Sequence, residues 1–239
     1  MVGINYINTE NSLNGCINDM KNINNMLLKK GYDKNSIELL YDTGKKQPTK
    51  AIILKELSIM LDKAKSGDKC IFTFSGHGSQ IKDINNDEND GKDECLFTLD
   101  NKYITDDELK ILINTKLKKG VKLFCLIDCC HSGTILDLKY NYKYTKEDKE
   151  FYENLKEIET TGDVCMLSGC MDSQVSMDSK LDGKYSGALT YSFLKNISNY
   201  KTWGSLLEAI RSTLILRNFD QIPQLSSGTK LSLTSDHYI

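Results

Sequence analysis

The chain has 239 residues, 39% of them hydrophobic and 27% charged, with a formal net charge of −2. That length can bury a sizeable core as one large domain or two small ones, and the near-neutral balance excludes an electrostatic nucleic-acid binder as the default. No apolar run approaches the roughly 18 residues that a membrane helix needs. We expect no membrane or nucleic-acid partner.

Val2–Ile7 reads as a strand that opens the chain, with no secretory signal before it. Ile17–Lys30 follows as a helix, with Ile17, Met20, Ile23, Met26 and Leu27 on one face. Ile37–Tyr41 is the next strand. Pro48–Lys65 is a helix whose proline suits a first turn. Strands Cys70–Phe74, Val121–Ile127 and Val164–Leu167 alternate with helices Asp106–Leu117, Gly187–Ile197 and Trp203–Leu216, and Lys230–Thr234 is the last strand candidate. Alternation of this kind predicts an α/β fold with a parallel sheet covered on both faces. Several of the eight cysteines, including Cys70, Cys125 and Cys165, sit inside apolar runs, where a free thiol packs as a small hydrophobe. We therefore expect a reduced, cytoplasmic protein.

Two segments break the alternation. Asp83–Glu108 holds ten acids against two lysines, with a hairpin expected around Leu96–Tyr103. Aligning Asn86, Glu88, Asp90 and Gly91 on an EF-hand loop puts Phe97 where the bidentate glutamate belongs, so that motif is excluded. Asp137–Gly162 is polar and rich in lysine and tyrosine. It reads as an exposed linker with a short helix near Glu147–Ile158.

The chemistry concentrates at two strand ends. One apolar run ends in Ser75-Gly76-His77-Gly78, and another ends in Asp128-Cys129-Cys130-His131-Ser132-Gly133. Neighbouring parallel strands lie roughly 4.8 Å apart, and ligands of such sheets bind at the carboxyl ends of the strands. A thiol and an imidazole delivered there have the layout of a cysteine nucleophile with a histidine base. Cys129 still belongs to the apolar run and reads as core, whereas Cys130 opens the turn. Glycines on both sides of His77 let the backbone approach a ligand closely. Zinc-like spacings link Cys125 to Cys129 and Cys165 to Cys170, but no second tight ligand cluster accompanies them.

Together with Leu167-Ser168-Gly169-Cys170-Met171-Asp172-Ser173-Gln174, these motifs resemble the metacaspases, caspase-like cysteine peptidases. The resemblance covers nearly the whole chain, from Val2-Gly3-Ile4-Asn5-Tyr6 onward. It implies a caspase-like fold with a six-stranded, mostly parallel sheet sandwiched between helices, in a single domain. Residues 1–136 would be the large-subunit part, 137–162 the linker and 163–239 the small-subunit part. The chain would be a minimal catalytic core and a monomer.

The resemblance also implies site roles. His77 and Cys130 match the catalytic dyad, and the backbone N–H groups of Gly78 and Cys130 the oxyanion hole. Cys16, Asp19, Ser75 and Asp128 match a pocket for a basic P1 side chain, which a carboxylate pair suits by charge-assisted hydrogen bonding. Asp93, Asp106, Asp107 and Asp137 match calcium ligands, so calcium is the expected cofactor. The implied activity is an endopeptidase that cuts protein or peptide substrates after Lys or Arg, is stimulated by calcium and processes itself in the linker. Caspases proper use Gln-Ala-Cys-x-Gly and read aspartate with arginines; here the motif is absent and the only arginines are Arg211 and Arg217. Cys129 stands where many relatives carry serine. Two other classes stay open: a catalytically idle interaction module, and a caspase-fold peptidase or transpeptidase of different specificity.

Overall fold

A computed structural model of the chain describes residues 1–82, 91–144, 149–169 and 178–239. In chain order the elements begin with β1 (Val2–Gly3), α1 (Cys16–Lys29), β2 (Leu40–Tyr41), α2 (Lys50–Lys63) and β3 (Lys69–Ser75). Then come β4 (Gly78–Lys82), β5 (Lys92–Phe97), β6 (Tyr103–Thr105), α3 (Asp106–Lys116) and β7 (Lys122–Asp128). The second half holds β8 (Tyr140–Tyr144), β9 (Lys149–Glu153), β10 (Asp163–Ser168), β11 (Asp178–Leu181) and β12 (Lys184–Gly187). It closes with α4 (Ala188–Asn196), α5 (Trp203–Leu216) and β13 (Gln224–Ser227).

The main sheet runs β2-β1-β3-β7-β10-β13-β8-β9. Neighbours from β2 to β10 are parallel, and β13, β8 and β9 continue by antiparallel pairing. Period-2 alternation sends side chains to opposite faces. Along β7, Leu123, Cys125 and Ile127 join one core with Ile53, Leu57 and Leu61 of α2 and Leu109 and Ile113 of α3. Phe124 and Leu126 join the other, with Ile23 and Leu27 of α1, Leu189 and Phe193 of α4 and Trp203 and Leu206 of α5. A near-continuous apolar strand is what a sheet buried on both faces requires.

Several expectations need correction. The main sheet has eight strands among the described residues, not six, because the segment read as a linker supplies two. Tyr140 and Tyr142 alternate toward the core and are 5% and 4% exposed, so this part of the segment is packed rather than exposed. Residues 149–153 are strand where a short helix was expected. The last strand is Gln224–Ser227, and Lys230–Thr234 is irregular. Thr49 rather than Pro48 begins α2, its hydroxyl accepting from Ile52 N–H at the N-cap. The hairpin near Leu96–Tyr103 is present as β5–β6, extended by β4 into a separate three-stranded sheet. Asn86, Glu88 and Asp90 of the acidic run, Lys146 and Glu147, and the Cys170–Gln174 stretch lie outside the described residues.

Candidate active site

β3 and β7 are neighbours in a register that sets Ser75 opposite Asp128. His77 and Cys130 each stand two residues beyond that pair, so both turns open at the same carboxyl edge of the sheet. Cys130 is partly exposed, while Cys129 is 1% exposed and belongs to the apolar core. The change from core to surface between these two cysteines comes from a turn. His131 takes a left-handed φ of 50°, Ser132 is buried, and its hydroxyl donates to Cys129 O and accepts from Gly169 N–H. Gly78 passes so close that a Cβ there would meet the Cys130 carbonyl oxygen at 2.0 Å and Cys129 Sγ at 2.8 Å. Only glycine lets the two turns approach like this.

His77 is held from several directions. Its N–H donates to the Tyr6 hydroxyl at 2.9 Å and its carbonyl accepts from Phe97 N–H at 3.0 Å. Nε2 lies 2.7 Å from the Asn11 carbonyl. A carbonyl only accepts, so Nε2 carries the proton in that contact. Nδ1 is then the ring nitrogen left for proton transfer.

Beside His77 and Cys130, two carboxylates are buried. Asp19 is 0% exposed and Asp128 is 4% exposed. Asp19 accepts from the Ser75 hydroxyl at 2.8 Å, from Gly187 N–H at 2.9 Å and from the Ser186 hydroxyl. Asp128 accepts from Thr190 N–H, in the first turn of α4, at 2.8 Å. A Cβ on Gly187 would meet Asp128 Oδ2 at 2.2 Å and Asp19 Oδ2 at 3.0 Å, so both oxygens face one point. Burial first, and then the neighbouring Asp128 charge, holds the Asp19 carboxyl well above the usual carboxylate range. Cys16 is buried one helical turn before Asp19 on α1. The sequence reading missed Ser186, Gly187 and Thr190. They reach the two carboxylates from β12 and α4, over 160 residues from Asp19 in sequence, and no local pattern marks them.

On the other flank, oxygen atoms of Asp93, Asp106 and Asp107 lie within 4.8 Å of one another. Asp106 is 2% exposed, and burial together with Glu94 and Asp93 pushes its pKa up to about 7. Asp106 also accepts from the N–H groups of Glu94 and Asp107, both at 2.7 Å. An all-oxygen, anionic and crowded set of this kind fits a hard cation such as calcium. Asp137 is not in that group. Its carboxylate faces Lys110 Nζ at 3.6 Å. Glu94, next to Asp93, accepts a hydrogen bond from Thr134, in the loop that follows Cys130.

A parallel sheet that presents a thiol and an imidazole together at adjacent strand ends has the architecture of a cysteine peptidase. A sequence model described as metacaspase, peptidase C14 domain, matches residues 1–139. Metacaspase-1A of Aspergillus oryzae is 34% identical over 97% of this chain and 67% of its own length. Metacaspase-1 of Schizosaccharomyces pombe is 32% identical over 98% of this chain and 67% of its own. The chain belongs to the metacaspase family and is a cysteine-type peptidase. The crystal structure of protein GSU0716 from Geobacter sulfurreducens superposes with a TM-score of 0.71 at 22% identity, covering 97% of this chain and 92% of that one. That likeness speaks to the fold alone. Among the described residues, no helix is long and apolar enough to cross a membrane.

Proposed function

We propose that this metacaspase is a calcium-stimulated endopeptidase that cuts after Lys or Arg. The observation that carries the specificity is the convergence of Asp19 and Asp128 around Gly187, with Asp128 two residues before Cys130 in the sequence. Two carboxylates buried side by side repel one another, and a guanidinium or ammonium from the substrate offsets that repulsion with charge-assisted hydrogen bonds. Substrates are proteins or peptides, and the chain acts as a monomer.

In the proposed reaction Cys130 Sγ attacks the carbonyl carbon of the basic residue itself, and the oxyanion is met by the N–H groups of Gly78 and Cys130. His77 takes the Cys130 thiol proton at Nδ1 and delivers it to the leaving amine, and the C–N bond breaks to leave a thioester. Water then attacks the thioester, His77 takes its proton, and the acid product leaves Cys130. Asn11, by holding Nε2–H, takes the orienting role that a carboxylate fills in serine-protease triads.

Asp93, Asp106 and Asp107, from β5 and the start of α3, would hold the calcium ion, whose charge would offset their mutual repulsion. The Glu94–Thr134 hydrogen bond links β5 to the loop after Cys130. Chelation with EGTA should lower turnover, and about 1 mM calcium should restore it where magnesium, which holds its waters and demands a tighter geometry, does not. Asp106→Ala or Asp107→Ala should blunt the calcium response. Equal rates in EGTA and in calcium would show that the acidic group does not couple calcium to turnover.

Self-processing is proposed within 137–162, which offers Lys139, Lys143, Lys146, Lys149 and Lys156 as basic positions. Lys139 is engaged by Glu153 at 3.4 Å. Lys156 is exposed in an irregular stretch between Leu155, 86% exposed, and Ile158, 70% exposed, and exposed irregular segments are where nicking concentrates. Mass spectrometry of calcium-treated enzyme should find cleavage after Lys156 that is missing in Cys130→Ala. A fully active, intact chain would show that no cut is needed.

A further inference from the structure

His77 sits between Gly76 and Gly78, so no adjacent side chain can fix its position, and its orientation has to come from elsewhere. It comes from one loop, the segment that follows β1. Tyr6 is 2% exposed. Its hydroxyl accepts from His77 N–H at 2.9 Å and donates to Phe97 O at 2.7 Å, so both functions of the hydroxyl are used. Its ring lies over the His77 imidazole at a centroid distance of 4.8 Å and a tilt of 35°, and it stacks on Phe97 at 5.6 Å. Gly76 makes room for this contact, since a Cβ there would meet the Tyr6 oxygen at 2.9 Å. The same loop supplies the Asn11 carbonyl to Nε2.

The loop is itself anchored. Tyr6 adopts a left-handed φ of 49°, unusual for a bulky residue. The residues on either side of it donate to one carboxylate: Asn5 N–H to Asp42 Oδ1 at 2.8 Å, and Ile7 N–H to Asp42 Oδ2 at 3.0 Å. Asp42 is 7% exposed and directly follows β2. The carboxylate thus clamps the backbone on both sides of the strained residue. Asn5 O accepts from Leu13 N–H at 2.8 Å and closes the loop behind Asn11.

We infer that Tyr6 and Asp42 are positioning residues for the His77 base, with Asp42 holding the loop and Tyr6 and Asn11 holding the histidine. The chain of contacts runs from Asp42 to the Tyr6 backbone, from the Tyr6 hydroxyl and ring to His77, and leaves Nδ1 as the reacting nitrogen. This inference rests on the proposed dyad. Tyr6 contacts the His77 backbone and ring, and Asp42 contacts the loop that carries Tyr6, so both act through His77.

The test compares wild type with Tyr6→Phe, Asp42→Asn, His77→Ala and Cys130→Ala, each with a melting curve. Tyr6→Phe keeps the ring and loses the hydroxyl. Asp42→Asn keeps one acceptor and turns an NH2 toward a backbone N–H. Both should lower kcat by about 10- to 100-fold with KM changed less than about twofold, as expected when an orienting contact is lost. The rate of Cys130 alkylation by iodoacetamide, followed by mass spectrometry, should fall by a similar factor, because it reports the thiol–imidazole pair without any substrate. A merely structural role would lower the melting temperature and leave kcat and the alkylation rate of the folded enzyme intact, which would overturn the inference. If Tyr6→Phe does not fold, the Asp42→Asn alkylation rate decides alone. Wild-type turnover in His77→Ala would overturn the dyad and this inference with it. Loss in His77→Ala with wild-type kcat in both Tyr6→Phe and Asp42→Asn would overturn the positioning role only.

Discussion

Replacing Cys130 by alanine should lower peptide turnover by at least about 10⁴-fold, the scale seen when a covalent nucleophile is removed, with an unchanged fold. Cys130 is partly exposed and lies outside the apolar core, so losing its sulfur removes no core packing. Cys129→Ser should keep most of the activity. Cys129 faces the apolar core and borders Gly78 rather than the open edge, so the variant is expected to lose stability by about 1–3 kcal/mol through a buried hydroxyl and little rate. Parallel measurements of kcat and melting temperature on the two variants separate these effects. Activity lost in the Cys129 variant and retained in the Cys130 variant would reverse the assignment.

Neutralising the acidic pocket should produce the second large effect. Asp128→Asn or Asp19→Asn should reduce kcat/KM for Arg or Lys substrates by about 10²–10³-fold, the usual consequence of removing one partner from a buried, hydrogen-bonded charge contact. Fluorogenic peptides with Arg, Lys, Asp or Asn at P1, compared at equal concentration, measure it. Preference of the wild type for Asp or Asn would overturn the pocket.

The same substitution has an opposite effect on stability. The native pKa of Asp19 is raised, burial being the main cause. Its contribution to stability is therefore complete below the unfolded pKa of about 4 and is lost as pH rises through the native value. Asp19→Asn keeps an oxygen for Ser75 and Gly187 and can donate to the Ser186 hydroxyl, which is free to rotate. It should melt above wild type at pH 8, by about 2–4 °C per kcal/mol relieved, with the gap closing as pH falls toward 4. A variant no more stable than wild type at pH 8 would show that the carboxylate pair carries no strain.

The parts of this account legible in the sequence are those with local signatures. Apolar runs ending in Ser-Gly-His-Gly and Asp-Cys-Cys-His-Ser-Gly marked both strand ends, because a strand that stops in small and polar residues has to turn there. The helices were legible from their apolar spacing, and the bounds moved only by a few residues. What escaped was set by tertiary pairing. Ser186, Gly187 and Thr190 acquire their roles only when β12 and α4 fold against α1 and β7.

The β8–β9 pair escaped because its polar, lysine-rich composition outweighed the alternation of Tyr140 and Tyr142. At an edge of the sheet, one buried face of tyrosines is enough. β13 was displaced for a related reason: Leu225 is its one strongly apolar residue, and Ser226 and Ser227 are buried by strand pairing rather than by hydropathy. Asp137 shares the acidic character of Asp93, Asp106 and Asp107, and only the fold shows Lys110 Nζ 3.6 Å from its carboxylate.

The most direct measurement labels the calcium-treated enzyme with a peptidyl acyloxymethyl ketone carrying Arg at P1 and with its Asp counterpart, and maps the adducts by tandem mass spectrometry. The thiolate displaces the carboxylate leaving group and forms a thioether, so one experiment reports the nucleophile and the pocket together. The account predicts an adduct on Cys130 with the Arg probe, lost in His77→Ala and in Asp128→Asn, and little labelling by the Asp probe. Modification of Cys129 in place of Cys130, or equal labelling by the two probes, would contradict it.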